Sequence, residues 1–308
     1  MMYVLLLIGF VALIKGADFF VEGSSGLARL LGVPSVIIGL TIVALGTSAP
    51  EAAVSITAGL SGRNEIAISN VVGSNMFNLL VVAGVCGVIK AFPMDREIMR
   101  RDFPVNIFAN LVLVVFCVGG LISRGEGVLL LVGMVAYLAY VVRCALRDRA
   151  SLTESEEQEP ISLPRCGISI VGGLAAIILG GQLVVDSAVA IATAWGLSQT
   201  FIGLTIIAMG TSLPELVTSV VAARKGESGL ALGNVVGSNI FNILFILGIS
   251  STLHPITVVG DSLVTTVLLL IVTAGIFLWC RAKGWMTRRV ASVCVLGYLT
   301  YTGMLLAM

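Results

Sequence analysis

Charge is what this sequence has least of. Only 11% of its 308 residues are Asp, Glu, Lys or Arg, against about 25% in soluble domains. Hydrophobic residues make up 57%, and the mean hydropathy is +1.07. A soluble globular chain is excluded, and the composition is that of an all-α polytopic membrane protein. The formal net charge is +1, and the basic residues are scattered over short loops. No groove-sized basic patch results, which excludes nucleic acid as a partner. Histidine occurs once, as His254, and the six cysteines (Cys86, Cys117, Cys144, Cys166, Cys280, Cys294) include no CxxC pair. No His/Cys set for zinc or iron exists, no resident cofactor is expected, and the cysteines read as small apolar core residues. Met1 to Phe20 lack the basic start of a cleaved signal peptide, so this stretch is expected to persist as the first span.

Hydrophobic runs are abundant. A span needs roughly 20 apolar residues, and cutting the chain at its charged or Pro/Gly-rich interruptions predicts ten transmembrane helices. The first half gives Tyr3–Ala28, Ser35–Leu60, Ile66–Ile89, Phe103–Leu121 and Gly127–Leu146. The second gives Gly167–Ala192, Gln199–Ala223, Gly229–Leu253, Ser262–Trp279 and Val290–Leu306. Residues 1–146 and 166–308 are thus two five-helix units, joined by an acidic linker at 147–165 that contains Glu154, Glu156, Glu157 and Glu159. That run has no Asp/Asn/Gly spacing of the EF-hand kind and reads as a solvated connection.

Loop charge sets the orientation. Loops after odd-numbered spans hold Arg29; Lys90, Arg96, Arg100 and Arg101; Arg143, Arg147, Arg149 and Arg165; Arg224 and Lys225; and Arg281, Lys283, Arg288 and Arg289. The other side has only Arg63 and Arg124. Positive loops stay in the cytoplasm, which predicts a plasma (inner) membrane protein with both termini outside and a cytoplasmic linker.

Two motifs occur twice. Gly46-Thr47-Ser48-Ala49-Pro50-Glu51 returns as Gly210-Thr211-Ser212-Leu213-Pro214-Glu215, and Asn70-Val71-Val72-Gly73-Ser74-Asn75-Met76-Phe77-Asn78 returns as Asn234 to Asn242. Every residue of the second copy stands 164 positions after its counterpart, and about half the positions of Gly39–Gly84 match Gly203–Gly248 without a gap. This marks a duplication. A five-span unit crosses the membrane an odd number of times, so its second copy must enter from the opposite side. The halves are expected to form an inverted repeat with broken helices at the centre, a plan that places a transporter's substrate near the midplane.

The duplicated residues carry hard oxygen. A carboxylate in the middle of an apolar span costs several kcal/mol, so Glu51 and Glu215 need a reason to be there, and a bound cation supplies one. Ala44, Thr47, Ser48, Glu51 and Ser55 share one helical stripe, and Ala208, Thr211, Ser212, Glu215 and Ser219 repeat it. Pro50 and Pro214 deprive the carbonyls of Gly46 and Gly210 of their helical donors and favour a break there. Unwound backbone at membrane depth is tolerated where it lines a cavity or is buried by protein. Asn70, Ser74 and Asn78 lie on one face of the next span, as do their second-copy counterparts. Oxygen donors with two carboxylates suit calcium and sodium rather than zinc or copper. Asn75, Asn239, Gly73 and Gly237 fit either an ion site or plain helix packing.

These paired motifs resemble the two α-repeats of the calcium/cation antiporter superfamily, and are most similar to its prokaryotic sodium/calcium exchanger branch. The resemblance covers the whole chain. It implies ten spans, alternating access and antiport of calcium against sodium. It places calcium on Glu51 and Glu215 with the Thr47 and Thr211 carbonyls. Sodium would use these glutamates with Ser48, Ser74, Ser212, Ser238 and the Ala44 and Ala208 carbonyls. One departure is that a position acidic in some members is amide here in both copies, at Asn78 and Asn242, which leaves two formal negative charges and puts stoichiometry and potassium dependence in question.

On the first span, Asp18 and Glu22 read as a surface charge pair; in the resemblance that span is a mobile gate. Two other functions would also use buried glutamates. An intramembrane hydrolase would need a nucleophile or metal beside the glutamates, which the sequence does not supply, so no enzyme is expected. A passive channel normally builds its pore from rings of subunits rather than an internal inverted pair. A proton- or potassium-coupled calcium antiporter is the nearer alternative.

Overall fold

The computed structural model describes residues 1–62, 65–149, 162–197, 206, 208–258 and 260–307. Its helices are α1 (Met2–Leu31), α2 (Ser35–Thr47), α3 (Ala49–Leu60), α4 (Glu65–Ile89), α5 (Ile98–Val118), α6 (Arg124–Arg149), α7 (Leu163–Ala194), α8 (Ala208–Gly210), α9 (Leu213–Lys225), α10 (Ser228–Leu253), α11 (Gly260–Lys283) and α12 (Arg288–Ala307). Seven of these are long and apolar enough to cross a membrane, and the bent pair α2/α3 makes an eighth. Of the other two expected spans, the tenth is helix α12, whereas the seventh runs partly through 199–205 and 207, outside the described residues. Helix α6 continues to Arg149 and α7 opens at Leu163, so the ends of the 147–165 stretch are helical. Residues 150–161, with the acidic run, lie outside the described residues.

Helices α4 and α10 form the centre. In its most apolar stretch α10 is 94% buried and α4 72%, whereas the long outer helices reach 44% at most. The exposed side chains outside are large and apolar, including Phe108, Val115, Leu129, Val171 and Leu278, as lipid contact requires.

Helices α1 and α7 pack along their length, and glycine makes this possible. Gly9, Gly16 and Gly23 meet Gly180, Gly173 and Cys166 in that order, so the two helices run antiparallel. A methyl group added at Gly16 would lie 2.8 Å from the Gly173 carbonyl oxygen, and one at Gly180 would lie 2.9 Å from that of Gly9. Small residues let two backbones approach where lipid offers no hydrophobic drive for association. Helix α1 ends at Gly32, whose left-handed conformation (φ 60°, ψ 44°) caps the carbonyls of Ala28 and Arg29.

Two short ribbons tie the halves together at their loops. Strand β1 (Phe92–Pro93) pairs antiparallel with β4 (Trp285–Met286), and β2 (Leu121–Ile122) with β3 (Ile256–Thr257). The 164-residue offset converts β1 into β3 and β2 into β4. Flanking bonds obey the same exchange: Met94 N–H donates to the Gly284 carbonyl at 2.9 Å, and Val258 N–H to that of Gly120 at 3.0 Å. The two ribbons are therefore exchanged by the same offset that relates the duplicated motifs.

Candidate ion-binding site

Both copies of the Gly-Thr-Ser-x-Pro-Glu motif sit at helix breaks, whereas the Asn70–Asn78 motif and its counterpart run inside α4 and α10. Helix α2 stops at Thr47, and α3 restarts at Ala49 after a bend of 48°. Ser48 occupies the break with φ −82°, ψ 8°, and Ser212 occupies the equivalent one with φ −91°, ψ 7°. Pro50 and Pro214 stand in the first turn of the new helix, where the missing N–H costs nothing. The Gly46 carbonyl, expected to be free, is met by an N–H of the cap. Glu51 and Glu215 follow in the same first turn, where the helix dipole favours a carboxylate.

The two glutamates are completely buried, as are Thr47, Ser48, Asn78, Ser212, Ser238 and Asn242. Each carboxylate is held by the other half of the protein. The Ser48 hydroxyl donates to Glu215 Oε1 at 2.9 Å, and the Ser212 hydroxyl to Glu51 Oε1 at 3.0 Å. Ser74 adds a donor to Glu51 Oε1 at 3.4 Å. The Thr47 hydroxyl reaches Asn234 Oδ1 at 3.0 Å, and that of Ser238 reaches the Ala44 carbonyl at 3.5 Å. Ala208, whose carbonyl is the counterpart, opens the short helix α8.

Four asparagines close the interface between α4 and α10. Asn75 Nδ2 donates to the Asn239 carbonyl at 3.1 Å and Asn239 Nδ2 to the Asn75 carbonyl at 3.3 Å. Asn78 and Asn242 spend their amide N–H groups on Asn239 Oδ1 and Asn75 Oδ1, at 3.2 and 3.0 Å. Their own oxygens are left without a donor. Among the described residues, the buried oxygens of the duplicated motifs that have no hydrogen-bond partner are Glu51 Oε2, Glu215 Oε2, Asn78 Oδ1, Asn242 Oδ1 and Thr211 Oγ1. Among the described residues no ion pair includes either glutamate. Leaving buried oxygen unpaired is costly, more so for a carboxylate. A cation answers that cost, because it takes lone pairs and brings opposite charge.

Comparison with known proteins decides the family. The model of the sodium/calcium exchanger protein family matches residues 1–143 and 167–307. The chain belongs to the sodium/calcium exchanger family. The putative antiporter CaxA of Alkalimonas amylolytica is 44% identical over 257 residues, covering 82% of this chain and 81% of that one. The sodium/calcium exchanger MaX1 of Methanosarcina acetivorans is 32% identical over 93% of each chain. The sodium-calcium exchanger NCX_Mj, in crystals soaked with zero Na+ and Ca2+, superposes with a TM-score of 0.87 at 30% identity, covering 99% of this chain and 98% of that one.

Within this exchanger fold, sequence reasoning missed the asparagine exchange, because adjacency of Asn75 and Asn239 arises only when α4 docks on α10. Gly237, left open between ligand and packing, is a packing residue: a methyl there would stand 2.8 Å from the Ala44 Cβ. Arg101, counted as a loop cation, lies buried inside α5. Its guanidinium donates to both Asp102 oxygens at 2.9 and 3.1 Å, and the Tyr137 hydroxyl to Asp102 at 3.1 Å, which tethers α5 to α6. Asp18 and Glu22 do pair at the surface, with Lys225 at 3.4 Å and Arg165 at 4.0 Å.

Proposed function

We propose that this exchanger carries calcium in one direction and sodium in the other through one site made by both halves. Glu51 and Glu215 hold calcium, with the Thr47 and Thr211 carbonyls beside them. The same glutamates hold sodium with Ser48, Ser74, Ser212, Ser238 and the Ala44 and Ala208 carbonyls, and Asn78 and Asn242 offer their amide oxygens. The observation that carries this reading is the pair of buried glutamates, each with one oxygen fixed by a serine of the opposite half and the other without a donor.

The chemistry follows from charge. Two carboxylates neutralise one divalent ion, and an empty pair would be two like charges in a poorly solvated space. The empty carrier therefore reorients poorly, and sodium must refill the site before it returns. Antiparallel packing of α1 on its counterpart α7, with the exchange symmetry of the ribbons, supports ten spans arranged as an inverted repeat, 1–146 and 166–308. That architecture permits alternating access around a midplane site. Loop charge supports outside termini and a cytoplasmic 147–165 linker.

Equilibrium binding of radioactive calcium to the purified protein tests the site. The unaltered protein binds calcium, and sodium displaces it. Glu51→Gln and Glu215→Gln each abolish this binding while the protein still elutes as a folded particle. The double variant adds no further loss, because either change leaves one carboxylate for a divalent ion. Near-normal binding in either single variant would remove that residue from the site.

A further inference from the structure

Next to the β1/β4 ribbon, the neighbouring ends of α5 and α11 line a half-open cavity of about 550 Å³, whose lining includes Arg96, Arg100 and Arg281 together with the apolar Met94, Met99 and Pro104. Three cations converge on it without a carboxylate. Among the described residues the ion pairs engage Arg101, Arg165 and Lys225 but none of these three. The acids at this end are occupied elsewhere. Asp95 Oδ1 accepts from the backbone N–H groups of Glu97 and Ile98 at 2.8 and 3.1 Å, Glu97 faces Arg101 at 4.0 Å, and Asp102 is bound by Arg101. The Arg281 guanidinium is stacked 5.8 Å from the Phe277 ring centre, which holds it in place.

The duplication supplies an internal control. The same offset that converts one ribbon into the other replaces Arg96 by Gly260, Arg100 by Val264 and Arg281 by Cys117. The ribbon fold by itself therefore does not demand arginine. Orientation in the membrane would be served by basic residues anywhere in these loops, and does not require three of them around one cavity. The setting fixes the depth. Trp279 is 52% exposed and Trp285 49% exposed on the same helix end and ribbon, as tryptophans are at the headgroup boundary. Below them α5 and α11 present Phe108 and Leu278 outward, 65% and 63% exposed, toward acyl chains.

We propose that this cavity binds the phosphate headgroup of an anionic phospholipid, with its chains lying along α5 and α11. Guanidinium forks match phosphate oxygens in pairs, and basic pockets between helix ends are suited to anionic headgroups. Because the ribbon joins loops of both halves, the bound headgroup bridges them. Native mass spectrometry of the full-length protein, titrated with phosphatidylglycerol, with phosphatidylcholine of the same chains, and with inorganic phosphate, tests this. Phosphatidylglycerol is retained about tenfold better than phosphatidylcholine, and Arg96→Gln/Arg100→Gln/Arg281→Gln abolishes the preference. Arg143→Gln/Arg147→Gln/Arg289→Gln, which removes equal charge outside the cavity, preserves it. Equal loss in both triple variants would assign the effect to the general surface potential and overturn the site. No preference in the unaltered protein would overturn it too. Inorganic phosphate that displaces phosphatidylglycerol at matched concentration would make it a site for a soluble anion and overturn the lipid assignment.

Discussion

At the residue scale, the cross-bonded pairs Ser48–Glu215 and Ser212–Glu51 join the two halves through the groups proposed to meet the ion. A hydroxyl can donate to a carboxylate when the site is empty and offer lone pairs to a small cation when it is filled. In the proposed site calcium would draw most of its binding from the two charges, whereas sodium would depend more on neutral oxygens. Ser48→Ala with Ser212→Ala should therefore weaken the sodium dependence of exchange by about tenfold, at about 1–1.5 kcal/mol for hydrogen-bonding oxygens lost, and disturb calcium binding less. Measuring the sodium concentration for half-maximal exchange beside the calcium affinity checks this; equal loss of both would give the serines no part in selectivity. The candidate residues stand out in the sequence because a glutamate after proline, twice, inside apolar runs has few structural explanations, and the structure brings the two glutamates together with their serines. The asparagine exchange was not legible, since nothing in a single helix tells Asn75 which carbonyl it will find.

At the scale of elements, most of the arrangement could be read from hydrophobic runs, because each span must satisfy its own backbone and cover its own lipid face. Where α5 begins could not. Arg101 and Asp102 look like a loop, yet their mutual pairing lets them enter the helix buried, with Tyr137 as a third partner. Helix contacts made by glycine were similarly hidden, since only the docked structure separates glycines that touch from glycines that face lipid. Gly173 touches: an added methyl would lie 2.6 Å from the Phe20 nitrogen, whereas at the adjacent Gly172 nothing stands within 4 Å. Gly173→Ala should destabilise the protein by about 1–3 kcal/mol through overpacking. Gly172→Ala should be neutral or stabilising, since alanine favours the helix by up to about 1 kcal/mol. Thermal denaturation of the two variants compares them directly, and equal behaviour would show that the α1–α7 contact is looser than its geometry implies.

At the scale of the whole molecule, one offset relates the motifs, the ribbons and the hydrogen bonds across the centre, so both halves contribute alike to one set of buried oxygens. A site shared between halves can be opened to one side or the other by moving them relative to each other, and its charge dictates when such movement is permitted. Two carboxylates with calcium are neutral, and two with sodium are close to it, but two alone are not. Exchange rather than leak is what the proposed site would produce. In the sequence this logic rests on the duplicated glutamates, of which Glu215 lies in the expected span Gln199–Ala223, a span partly outside the described residues. Calcium uptake into proteoliposomes under separately imposed sodium, potassium and pH gradients tests the account most directly. An outward sodium gradient should drive calcium in, and Glu51→Gln or Glu215→Gln should stop it. Uptake that follows the pH gradient and ignores sodium would contradict sodium coupling and make protons the counter-ion.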